Sequence, residues 1–312
     1  MIPSKKQIVS ALKETLRKAS FYAVGRQWPS HVDPVLTAVF NRHRDCSKLA
    51  DPLMYAQIVA GCIEHMRFDV RVVKAAENSS SQPARRFSFL LELLRDDVPP
   101  VNMEGALRIA DVSDNYLQNF RALDGEWATD ISWHCRRSSS FGRKGRLLAA
   151  CVRCMRPKRC LELGTAYGLS ALFILNALAQ LNEGGRLSTI EGFEPCFVLA
   201  QKTLDQQFGN AVTCHEGNMN EVLDPIAKAA APIDFMFHDA GHSEEAYIKD
   251  FRTAEPYLAG GAVLMVDDIN WSDAHGAPKS SGTYSGWTNI VNHPRVSKAV
   301  EIDGIIGLAL LT

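Results

Sequence analysis

At 312 residues, with 46% hydrophobic and 22% charged side chains, the chain has the composition of a soluble globular protein and enough material for one large or two smaller domains. A net charge of −1 excludes a global field that would recruit nucleic acid, and no stretch approaches the length of a membrane span. Met1-Ile2-Pro3-Ser4-Lys5-Lys6 lacks the apolar core of a signal peptide, and Cys151 and Cys154 have no second pair at zinc spacing, so the eight cysteines read as reduced thiols of a cytoplasmic protein.

In chain order, residues 1–140 read as helices with polar joints. Ile8, Leu12 and Leu16 share a helical face, and Gly25, Pro29 and Pro34 break it. Leu53 to Met66 follows the cap-like Asp51-Pro52, and Asn78 to Pro83 is a loop by composition. Phe87 to Leu94 and Ala106 to Leu123 are further amphipathic segments, and strand signals are scarce. A helical region that covers a substrate site as a lid is therefore expected over 1–140. The basic run Arg136, Arg137, Arg143, Lys144 and Arg146 is interrupted by serines and reads as a solvated hinge.

Residues 141–312 alternate. Leu147 to Met155 predicts a helix and Cys160 to Leu163 a strand. Strands at Arg186 to Glu191, Ala211 to His215, Ile233 to Phe237 and Ala262 to Val266 are interleaved with helices at Ser170 to Leu181, Pro195 to Gln206, Met219 to Ala229 and Glu244 to Leu258. Such alternation implies an α/β, doubly wound parallel sheet. Lys298 to Ile302 and Ile306 to Leu311, joined by Asp303-Gly304, predict an antiparallel closing hairpin.

This region is organised around Arg159-Cys160-Leu161-Glu162-Leu163-Gly164-Thr165-Ala166-Tyr167-Gly168-Leu169-Ser170, a strand, a glycine turn and a helix start. Gly164 and Gly168 allow a sharp turn and a close ligand approach, and free N–H groups at the helix start favour an anionic group. The pattern E-x-G-x-x-x-G-x-S departs from the G-x-G-x-x-G of dinucleotide folds. It resembles the first motif of the class I S-adenosylmethionine (SAM) methyltransferases, which makes Glu162, Gly164, Thr165, Tyr167, Gly168 and Ser170 candidate SAM contacts.

Glu191-Gly192 ends the next strand, where a carboxylate can accept both ribose hydroxyls of a nucleoside held over that turn. Gly217-Asn218 follows the third strand and would run along the adenine, although an acidic residue is commoner there in the family. Two acidic clusters, Phe237-His238-Asp239-Ala240-Gly241-His242 and Val266-Asp267-Asp268-Ile269-Asn270-Trp271, fall at further strand ends above the same crevice. Asp239, Asp267 and Asp268 have two readings: ligands of a hard divalent cation such as Mg²⁺, or a substrate-facing Asp239 with caps and acceptors beside it. His242 reads either as a general base or as an ordinary loop histidine.

Taken together with Phe141-Gly142-Arg143 and Arg146-Leu147-Leu148, these motifs resemble, over residues 141–312, the class I methyltransferases related to the metal-dependent O-methyltransferases of catechols and natural products. The resemblance implies a Rossmann-like seven-stranded sheet, SAM as cosubstrate, and O-methylation of a small molecule in secondary metabolism; a homodimer is compatible with it. It also implies Asp239, Asp267 and Asp268 at metal-ligand positions, and places His242 where catechol-type enzymes keep a lysine. Two segments depart from the family: the glycine- and serine-rich loop His275 to Ser285, and the N-terminal region 1–140. Tyr22, Trp28, Trp127 and Trp133 are candidate aromatic walls near the sulfonium. Two other classes stay open, cyclisation of SAM to azetidine-2-carboxylate with release of methylthioadenosine, and SAM binding without catalysis.

Overall fold

The computed structural model describes residues 58–59, 61–63, 65–75, 80–123, 142–271 and 282–312. Tyr22, Trp28, Trp127, Trp133, Phe141, Cys46, Cys135 and most of the 275–285 loop lie outside them, and so do the expected aromatic walls and the bulk of the expected lid.

A twisted sheet carries the fold. Its strands are β1 (Val70–Lys74), β2 (Arg159–Leu163), β3 (Arg186–Glu191), β4 (Val212–Glu216), β5 (Ile233–His238), β6 (Leu258–Val266), β7 (Val296–Ile302) and β8 (Ile306–Leu311), in the spatial order β1-β7-β8-β6-β5-β2-β3-β4. β2 to β6 run parallel, while β8 pairs antiparallel with β6 and β7. The chain builds outward from β2 through β3 to β4, then returns to β5 on the other flank of β2. That reversal opens a crevice at the carboxyl ends of β2 and β5, where ligands bind in open α/β sheets.

The sheet has eight strands rather than seven. Val70–Lys74 pairs antiparallel with β7, Val70 opposite Ile302 and Val72 opposite Val300. Its short, half-exposed Val-Arg-Val-Val-Lys sequence lies in helical surroundings. Its partner is remote in sequence, as Arg71 and the opposing Glu301 show with a separation of 230. Its valines favour a strand locally, but nothing near it in sequence supplies the pairing partner. The closing hairpin turns as Asp303-Gly304 predicts, with both residues at positive φ (51° and 70°).

The helices that flank the sheet are α1 (Gln82–Asp96), α2 (Met103–Leu123), α3 (Arg143–Met155), α4 (Leu169–Leu181), α5 (Glu194–Phe208), α6 (Met219–Ala230), α7 (Glu244–Ala254) and α8 (Thr283–Val291). Strand alternation divides the core between the two faces. Cys160, Phe235 and Phe237 pack with α1 to α5, including Phe87, Leu90, Ala110 and Leu117 from the N-terminal region. Leu161, Leu163 and Met236 pack with α6, α7 and α8. Glu162, one residue on from Leu161, therefore points into the first face, which is why a carboxylate in that strand ends fully buried.

The basic run is not a solvated hinge where it is described. Arg143, Lys144 and Arg146 form the first turn of α3. Arg146 is fully buried and donates to the carbonyls of Gly61 (3.2 Å) and Val98. Arg143 pairs with Asp303 and stacks its guanidinium 4.2 Å over Phe68. Serine interruptions made the run look wet, but apolar helix packing pulls its second half in. All six described cysteines are free thiols, and burial pushes Cys62 and Cys214 up to about 12, which keeps them unreactive. No described helix is long and apolar enough to cross a membrane.

Candidate functional site

The crevice is built from strand ends stitched together by backbone hydrogen bonds. Gly164 N and Thr165 N donate to Ile190 O (3.0 and 3.1 Å), Asp239 N to Leu163 O (2.9 Å), Gly217 N to Glu191 O (3.0 Å) and Asp267 N to His238 O (2.9 Å). The candidate residues of β2, β3, β5 and β6 thus leave the sheet side by side. At Gly164, φ is +91° and a Cβ would lie 2.2 Å from Asp239 O, so only glycine lets these two loops touch. At Gly168, φ is +78° and a Cβ would lie 2.8 Å from the Tyr116 hydroxyl, which donates to Ala200 O (3.2 Å). Tyr116 belongs to α2, so the N-terminal region reaches the glycine turn.

Glu162 sits beneath that turn. Its Oε2 accepts from the Thr189 hydroxyl (2.6 Å), while the buried Oε1 has no hydrogen-bond partner. Burial pushes its carboxyl up to about 7, with the Ser170 and Thr189 hydroxyls opposing the rise. An orphaned buried acceptor at the floor of a glycine turn calls for a donor, and an ammonium group supplies one. Thr165 is buried against the Thr189 hydroxyl, so its side chain organises this network, and Tyr167 and Ser170 are buried beside it.

Glu191 stands at the rim. Its Oε2 accepts from Ala166 N (2.6 Å) and its Oε1 from Phe193 N (2.8 Å), so the carboxylate clamps the glycine turn. Each oxygen keeps a second lone pair, enough for the two hydroxyls of a ribose. Gly192 lies against Gly217, a Cβ on it falling 3.5 Å from Gly217 O. Asn218 caps α6, its Oδ1 accepting from Asn220 N (3.0 Å).

The three aspartates meet as the motifs suggested, but not around an open centre. Asp267 is fully buried and is held by the ammonium of Lys144, which also lies 3.9 Å from Asp239. His242 Nε2 lies between the other two, 3.2 Å from Asp268 and 3.7 Å from Asp239. Hydrogen bonds to Asp239 and Asp268 push the His242 imidazole up to about 10, so it is an imidazolium at neutral pH. Burial opposes the Lys144 ammonium, yet Asp239 and Asp267 outweigh that cost and hold its pKa above the ordinary lysine value. Burial likewise works against the Asp239 carboxylate, but His242 and Lys144 keep it below the usual range, while burial beside Asp239 pushes Asp267 up.

This arrangement does not fit Mg²⁺ held by Asp239, Asp267 and Asp268. The described residues that bring ligand atoms within 4.8 Å of one another are Asp239, His242 and Asp268, a set that leaves Asp267 out. Asp267 Oδ2 is held by Lys144, while its buried Oδ1 has no hydrogen-bond partner. Two unit charges about 4 Å apart interact by about 4 kcal/mol at an effective dielectric constant near 20, and a divalent ion beside the ammonium would double the opposing term. Lys144 is the site residue that sequence reasoning missed. One signal was available: a helix leading into β2 runs antiparallel to it, so its first turn must lie at the carboxyl ends of the strands. Beyond the carboxylates, Trp271 is half-exposed with its ring 5.5 Å from that of His242.

Comparison with known proteins finds similarity to methyltransferases over the same region. Residues 161–269 match the family model of a methyltransferase domain. The chain is 27% identical over 128 residues to a catechol O-methyltransferase of Niastella koreensis, covering 40% of this chain and 56% of that protein. It is 30% identical over 145 residues to a probable O-methyltransferase of Mycobacterium tuberculosis, covering 44% of this chain and 58% of that one. The chain thus spans a little over half the length of the curated relatives it matches. Among solved structures, an O-methyltransferase from Bacillus cereus in complex with SAH superposes with a TM-score of 0.50 at 19% identity, over 65% of this chain and 91% of that one, and shares the fold. Strand order and sequence match point the same way: residues 161–269 are similar to a methyltransferase domain, carried on a Rossmann-like sheet.

Proposed function

We propose that the protein transfers the methyl group of SAM to a hydroxyl oxygen of a small molecule. The observation that carries this reading is Glu162, a buried carboxylate with one unpartnered oxygen, under a glycine turn whose rim carries Glu191. SAM supplies an activated methyl group on a sulfonium, so the protein must chiefly align the acceptor and exclude water. In this reading Glu162 receives the amino group, the Gly164–Ser170 turn holds the carboxylate end and Glu191 takes the ribose. An acceptor hydroxyl lies over Asp239 against the exposed face of Trp271. Its oxygen forms the new bond to the methyl carbon as the sulfur–carbon bond breaks, the electron pair staying on sulfur. The hydroxyl proton leaves to solvent beside the partly exposed His242, whose charge, with that of Lys144, stabilises the oxygen as it becomes anionic.

The relatives' names motivate a catechol or related hydroxylated acceptor. The test is incubation with SAM and a panel of such acceptors, beside SAM alone, with analysis for S-adenosylhomocysteine, methylthioadenosine and azetidine-2-carboxylate. The proposal expects S-adenosylhomocysteine only when an acceptor is present. Methylthioadenosine from SAM alone would move the protein to the cyclising class.

A further inference from the structure

We infer that Lys144 takes the place of a divalent cation, so that the reaction centre is charge-compensated by the fold itself and excludes metal. This deepens the methyl-transfer reading of the same crevice. The ammonium is fixed rather than free to swing out. It projects from the first turn of α3 between Arg143, bound to Asp303 and Arg67 O, and the fully buried Arg146. At the next position, Gly145, a Cβ would lie 2.3 Å from the Phe173 ring, so α3 and α4 are in close contact there. Held in this way, Lys144 pairs with Asp267 Oδ2 and reaches Asp239, and His242 lies between Asp239 and Asp268. Every carboxylate of the cluster already faces a basic side chain. Mg²⁺ demands near-octahedral oxygen ligation at about 2.0–2.1 Å, which here requires Lys144 to be displaced from a buried partner.

Lys144 is thus a positioning residue: it holds Asp239 and Asp267 together and supplies the positive charge that a metal would bring. Removing its charge should create the metal site that it suppresses. The experiment is titration of Mn²⁺ into the SAM-saturated full-length protein, read as free Mn²⁺ by electron paramagnetic resonance, for wild type, Lys144→Met and Lys144→Arg. The expected result is no stoichiometric Mn²⁺ on the wild type or Lys144→Arg. Lys144→Met should gain one site at least about tenfold tighter than any residual wild-type binding. One equivalent of Mn²⁺ held by the wild type at a Kd on the order of micromolar would overturn the inference. So would a folded Lys144→Met variant that gains nothing. Should Lys144→Met fail to fold, the wild-type titration alone still decides. Because binding rather than turnover is read, metal exclusion without methyl transfer would sink the proposed function and leave this inference standing; methyl transfer with tight Mn²⁺ binding would do the reverse.

Discussion

Lys144 and Asp267, separated by 123 positions in sequence, form an ion pair in which the carboxylate is fully buried and the lysine about a quarter exposed. A buried pair adds little net stability over an apolar substitute, but breaking it from one side leaves an uncompensated charge. Lys144→Met is expected to lower unfolding free energy by about 3 kcal/mol, and Asp267→Asn by distinctly less, because the latter also removes repulsion with Asp239. Urea unfolding at unchanged m-value measures both. Equal losses would mean that the pair is not the cause.

The His242 imidazole carries a pH signature. Its folded-state pKa, about 10, lies above the unfolded value of 6.5, so its contribution to stability is complete below about pH 6.5 and disappears as pH rises through 10. The wild type should therefore lose its advantage over His242→Gln across that window. Parallel melting-temperature profiles of the two proteins from pH 6 to 10 would refute the assignment.

Glu162 predicts proton release on binding. Burial holds its carboxyl near 7 in the free protein, so it is partly protonated at neutral pH. An ammonium group placed on the orphaned Oε1 favours the ionised form and drives a fraction of a proton off. Calorimetric SAM titrations at pH 7 in buffers of different ionisation enthalpy should give different heats. Identical heats at pH 7 would place the amino group elsewhere.

Gly164→Ala tests the contact between the two loops. A Cβ there meets Asp239 O at 2.2 Å in a backbone conformation with φ +91°. The substitution should destabilise the protein by roughly 2 kcal/mol or more and abolish SAM retention. A variant as stable as the wild type with unchanged SAM affinity would remove the close contact from the account.

What could be read from the sequence follows a physical division. Strand ends and glycine turns are local chemistry, so strand–helix alternation together with the family resemblance places Glu162, Gly164, Glu191, Asp239 and Asp267 at one crevice. Neither places Val70–Lys74 or Lys144, because each owes its role to a distant partner: β7 for the strand, β5 and β6 ends for the lysine. Three converging carboxylates call for a compensating positive charge. Its identity required knowing which helix begins beside them. Asn218 gave an ambiguous signal for a similar reason, since the side chain that would run along adenine is also the cap of α6.

The central claim is that the Glu162–Ser170 turn and Glu191 form a SAM site, and calorimetric titration of SAM into the wild type and Glu191→Ala tests it most directly. Charge-assisted hydrogen bonds contribute on the order of 1.5–3 kcal/mol each, so losing those to the ribose predicts a measurable wild-type Kd that weakens by about tenfold or more in the variant. No binding by the wild type, or unchanged affinity in a folded Glu191→Ala protein, would contradict it.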